Sequence, residues 1–94
     1  MLTLPIKLKW FDMIASGEKT EEYRDIKNYY CQRFAKYIGE PSFKIRFRAG
    51  YRADSPLMEC DVFLSSGCGR EDWGAPVGWI GFILKIQKVK ILQR

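Results

Sequence analysis

Gly17-Glu18-Lys19-Thr20-Glu21-Glu22-Tyr23-Arg24 is the stretch on which the fold of this 94-residue chain turns. In extended backbone, Thr20, Glu22 and Arg24 share one face and Glu21 and Tyr23 the other. Neither face is wholly apolar, whereas a strand within a small domain normally buries one apolar side. A Thr/Glu/Arg face therefore predicts a strand whose polar side lines a cleft, because such groups are costly to bury without partners. Upstream, Trp10, Phe11, Met13 and Ile14 recur at helical spacing and Gly17 stands where a left-handed terminator belongs, so the spacing predicts a helix of about two turns. Leu2 to Leu8, with Pro5 unable to donate to a ladder, reads as an opening edge strand. Downstream, Asp25 reads as the N-cap of a second helix in which Ile26, Tyr30, Phe34 and Tyr37 or Ile38 recur with a period near 3.6.

Gly39, Pro41 and Ser42 end that helix. Phe43, Ile45 and Phe47 then alternate with Lys44, Arg46 and Arg48, the pattern of a half-buried strand. After a turn-rich link from Gly50 to Pro56, Met58, Cys60, Val62 and Leu64 alternate with Glu59 and Asp61, which predicts a neighbouring strand whose carboxylates pair across with the cations. Ser65 to Gly78 is rich in glycine and weak in periodicity, and reads as a long loop carrying Trp73. Trp79 to Leu92 reads as a closing strand, with a phase slip between Ile86 and Val89 of the kind a bulge produces. The element order predicts an α+β fold, a small barrel or curled sheet of about five to six strands with two main helices, formed by residues 1–94 as a single domain.

A hydrophobic fraction of 47% and a charged fraction of 29% of mixed sign are those of a packed protein. The chain has no histidine, which removes Ser/His/Asp, Cys/His and His-zinc chemistry. Cys31, Cys60 and Cys68 form no C-x-x-C pair and are odd in number, so neither a metal site nor a disulfide framework is expected, no cofactor is implied, and a reducing cytoplasm fits. No apolar run approaches the roughly 20 residues that cross a bilayer, so no membrane partner is expected. A net charge of +5 favours polyanionic partners.

Gly17 to Arg24 matches G-x-K-x-x-E-x-R and resembles the hallmark of the ASCH domain, a relative of the PUA RNA-binding fold. The resemblance extends to Leu4–Ile14, Tyr29-Tyr30, Arg46–Tyr51 and the glycine-rich run from Gly67 to Pro76, and it covers essentially the whole chain. It implies a PUA-like β-barrel whose cleft receives RNA or a nucleotide- or nucleoside-like ligand. Carried over by position, Lys19, Glu22 and Arg24 become the central ligand-binding residues, with Lys19 at the cleft entry and Arg48 and Tyr51 beside the cleft.

The residues themselves support the same chemistry. Lys19 and Arg24 suit phosphate or carbonyl oxygens and Glu22 suits a base amino group. A carboxylate between two cations is also a structural device in its own right. Trp73 either stacks on a base or plugs the barrel mouth, and Trp10, Tyr30 and Phe34 read as core. Some relatives resemble amidohydrolases of N4-acylated cytidine that use a Lys, a Thr and a distant Glu. Lys19 matches that lysine, but Glu22 stands where the threonine belongs, which leaves Thr20 or a water as the nucleophile of an alternative, catalytic reading.

Overall fold

The computed structural model describes Met1 to Arg94. Its elements are β1 (Leu2–Pro5), α1 (Leu8–Ala15), β2 (Glu21–Arg24), α2 (Asn28–Phe34), β3 (Phe43–Arg48), β4 (Leu57–Cys68) and β5 (Ile80–Gln93), with short 3-10 turns at Ala35–Tyr37 and Glu71–Trp73. The strands form one five-stranded sheet in the order β1-β3-β4-β5-β2. It is an α+β fold in which the sheet curls into half a barrel. β1 runs parallel to β3 and every other pairing is antiparallel. The two edges, β1 and β2, do not pair with each other, and that opening positions the site. Neither helix is long and apolar enough to cross a membrane.

Alternation drives the sheet. Phe43, Ile45 and Phe47 of β3 and Met58, Cys60 and Val62 of β4 are buried, and they join Leu4, Phe11, Ile14, Phe34 and Leu84 in one apolar core. Burial of such side chains contributes about 1.5–3 kcal/mol each. On the outer face, Lys44 lies 2.7 Å from Asp61 and Arg46 lies 3.2 Å from Glu59, the cross-strand pairs that the sequence predicts. The phase slip in β5 is a bulge: Val62 pairs with Ile86 and Asp61 with Lys88, leaving Gln87 unmatched.

Three expectations change. β4 continues to Cys68, so residues 65–68 belong to a strand rather than to the loop. They pair with Gly81–Ile83 and Ile80 of β5, and that long-range pairing overrides their weak local pattern. Asp25 does not cap α2. The helix starts at Asn28 after an extended Lys27 with no side-chain cap, while Asp25 accepts a hydrogen bond from Trp79 Nε1 at 2.8 Å. Ile26 and Ile38 lie outside α2 and are exposed, so α2 buries only Phe34 fully and keeps Tyr30 half-buried, with Tyr37 half-buried in the 3-10 turn that follows.

Candidate functional site

α1 ends at Gly17, whose φ of +85° lets the chain reverse without strain. The Lys19 N–H then returns to the Met13 carbonyl at 3.0 Å, which aims the lysine side chain inward. Its ammonium donates to Glu22 Oε1 at 2.7 Å and lies 5.0 Å from the Trp10 ring centre and 5.1 Å from that of Tyr23. Lys19 is 1% exposed, so it sits beneath the cleft rather than at its entry. Desolvation lowers its pKa from the usual lysine value, with Glu22 opposing the shift.

Glu22 Oε2 accepts from Arg24 Nη2 at 2.7 Å, so the two carboxylate oxygens hold the two cations. The same Arg24 nitrogen donates to the Pro5 carbonyl at 2.8 Å, and Nη1 donates to Tyr30 Oη at 3.2 Å. Arg24 therefore spans the opening between β2 and β1. Pro5 contributes no backbone N–H, and its carbonyl is met here by a side chain instead of a strand.

Over this network lies a cleft of about 430 Å³. Pro5–Lys7 and Trp10 form one side, Glu22–Asp25 the other, and Gly74–Pro76 with Trp79 complete it. Its volume falls in the range of small-molecule sites. Trp79 is fixed by its bond to Asp25 and by its ring, 5.3 Å from that of Tyr23. Its ring lies against Gly81, where a Cβ would stand 2.1 Å from the indole. The Tyr23 hydroxyl donates to Glu21 Oε1 at 2.8 Å and accepts from the Arg70 N–H at 2.9 Å. Burial, with Glu21 adding to it, raises the Tyr23 pKa to about 12.

Of the residues singled out in the sequence, Glu22 and Arg24 line the cleft and Lys19 supports them from below. The other four lie elsewhere. Arg48 spends its guanidinium on the carbonyls of Arg52, Ala53 and Ser55 at 3.0–3.3 Å, and so staples the link between β3 and β4. Tyr51 is 93% exposed and lines a neighbouring groove against Leu8 and Lys7. Trp73 is buried under Arg70, whose guanidinium carbon lies 4.1 Å from its ring centre, and it does not line the cleft. Thr20 is exposed just before β2, outside the cleft lining, with its carbonyl accepting from the Ile86 N–H.

Sequence reasoning missed Trp10, Asp25 and Trp79 as cleft residues. Trp10 falls in the helical pattern of Phe11 and Ile14 but is only half-buried, at the flank of α1. A signal for Trp79 is present in Trp79-Ile80-Gly81: on a strand, a glycine two residues from an indole vacates the space in which the ring lies. No cluster of three or more His, Cys, Asp or Glu side chains is arranged to hold a metal ion.

Comparison with protein-family models, curated proteins and solved structures finds no match to this chain.

Proposed function

We propose that the chain is an ASCH-type, PUA-like binding domain of the cytoplasm that captures RNA or a nucleotide- or nucleoside-like ligand in the cleft between β1 and β2. The observation that carries this reading is the convergence of two indoles, Trp10 and Trp79, on a cleft of about 430 Å³ that also holds the Glu22–Arg24 ion pair. Aromatic faces grip unpaired bases whatever their identity. The Asp25 oxygen that Trp79 leaves free suits a base amino group, and Lys7, which has no carboxylate partner, suits a phosphate. Three free cysteines accord with a reducing compartment.

The hydrolytic alternative, acting on an N4-acylated cytidine, asks Lys19 to activate Thr20 or a water. The Lys19 ammonium is instead caged by Glu22, Trp10 and Tyr23, and Thr20 lies outside the cleft, so binding is the better-supported reading. Titration of tryptophan fluorescence with nucleoside monophosphates and short single-stranded RNA tests it. Saturable quenching is expected, with Trp10→Ala and Trp79→Ala each weakening affinity about ten- to hundred-fold, in line with stacking worth ~1–3 kcal/mol per base. Absence of saturable binding at millimolar ligand defeats the proposal. Turnover of N4-acetylcytidine that is lost in Lys19→Ala establishes the alternative instead.

A further inference from the structure

The free positive charge of the molecule is not spread evenly. On β5, Lys85, Lys88 and Lys90 make no ion pair, but they stand in register opposite three carboxylates, Glu21, Asp61 and Glu59, of which Asp61 and Glu59 also bond Lys44 and Arg46. Along β1 the balance is different. Lys7 and Lys9 at its exit, and Lys27, Arg33 and Lys36 on and beside α2, make no ion pair. No acidic residue occurs between Ile26 and Gly39. The carboxylates of the cleft are already engaged, Glu22 by Lys19 and Arg24 and Asp25 by Trp79.

The cations of α2 are also ordered. Arg33 lies 4.0 Å from the Tyr29 ring centre, Lys36 5.2 Å from that of Tyr37 and Lys27 5.5 Å from that of Tyr30. Tyr29 itself remains 46% exposed. Arg33 and Lys36 border a groove of about 350 Å³ with Met1 and Leu2, at the start of β1. Pro5 and Lys7, at the other end of β1, border the cleft. The two openings are joined by one strand, roughly 13 Å long at about 3.3 Å per residue. β1 carries no neighbour on its outer edge. Arg24, bonded to both Pro5 and Tyr30, ties the cleft to α2.

From this arrangement we infer that the ligand enters the cleft as one unit of a single-stranded polynucleotide, whose neighbouring phosphates follow β1 to Arg33 and Lys36. Cations interleaved with tyrosine rings, of which Tyr29 is exposed, match the alternation of phosphate and base in an unpaired strand. The inference rests on the reading of the cleft as a nucleotide site and adds the direction and extent of the chain that occupies it.

The test is a salt series of titrations with a nucleoside monophosphate and with a six-nucleotide single-stranded RNA, on the wild-type chain and on Arg33→Gln/Lys36→Gln. Both substituted residues are exposed. The hexamer is expected to bind at least tenfold more tightly than the monophosphate. Its log-affinity should fall with log salt concentration, and the double substitution should make that slope shallower by about one to two while leaving the monophosphate affinity unchanged. If the monophosphate binds but the hexamer gains nothing, or the double variant keeps the wild-type slope, the track is overturned and the cleft reading survives. If neither ligand binds, both fail. DNA of the same sequence separates phosphate from 2′-hydroxyl recognition: an equal slope supports a phosphate track, and a slope seen with RNA alone counts against it.

Discussion

Glu22 is the residue on which the site depends, because its two oxygens are the sole carboxylate partners of Lys19 and Arg24. Removing one member of a buried ion pair costs more than the pair contributes, since it strands the other charge away from water. Glu22→Gln is therefore expected to destabilise the fold by about 3–5 kcal/mol in urea denaturation. Lys44→Ala, which breaks an exposed pair, is expected to leave the midpoint essentially unchanged. Titration adds a second prediction at this scale. Cys60, buried in the core and near Asp61 and Glu59, has its pKa raised from 9.0 to about 12, and that of Tyr23 is raised from 10.0 to about 12. Each stays neutral in the folded chain while its unfolded counterpart ionises, so stability present below pH 9 is lost as the pH rises towards 12. Lys19 opposes this trend. Its lowered pKa means that the cost of burying its charge is relieved as the pH rises to the ordinary lysine value of 10.5. Above pH 10.5 the lysine contribution is complete, so the urea midpoint should fall from there to pH 12, and Cys60→Ala should make the fall shallower. An unchanged pH profile in that variant would remove Cys60 from the account.

At the scale of elements, the cleft wall is set by how β5 begins. Gly81 is buried, and a Cβ there would meet the Trp79 ring at 2.1 Å and the Arg24 carbonyl at 2.8 Å. Gly81→Ala is expected to push the indole off the strand, cost about 1–3 kcal/mol as overpacking does, and weaken ligand binding together with stability. Calorimetry and fluorescence titration of the same variant check both effects, and full affinity would show that Trp79 does not grip the ligand. Elements with a strict period were legible in the sequence: the alternation of β3 and of β4 as far as Leu64, the helical stripe and Gly17 stop of α1, and the bulge at Gln87. Elements held by distant partners were not. Ser65–Cys68 have little pattern of their own and become strand through β5, and Asp25 looks like a helix cap until Trp79, 54 residues later, claims its carboxylate.

At the scale of the whole molecule, the site exists because the curled sheet stays open between β1 and β2, with Arg24 reaching across to Pro5. That opening was not legible, since the parallel pairing of β1 with β3 and the position of β2 beyond β5 are long-range choices that no local pattern encodes. What the motif did reveal was its chemistry. Glu22 and Arg24 face the cleft as the polar strand face implied, while Lys19 turned from a ligand-binding candidate into the buried support beneath them. The most direct test of the central claim uses the three tryptophans as reporters. In a ¹⁵N–¹H spectrum titrated with a nucleoside monophosphate and then with single-stranded RNA, the indole N–H signals of Trp10 and Trp79 and the backbone signal of Arg24 should shift together in a saturable manner. The signal of buried Trp73 should stay still. Shifts confined to Trp73 or to the Lys85–Lys90 side of β5, or no shift at any tryptophan, would contradict the cleft as the binding site.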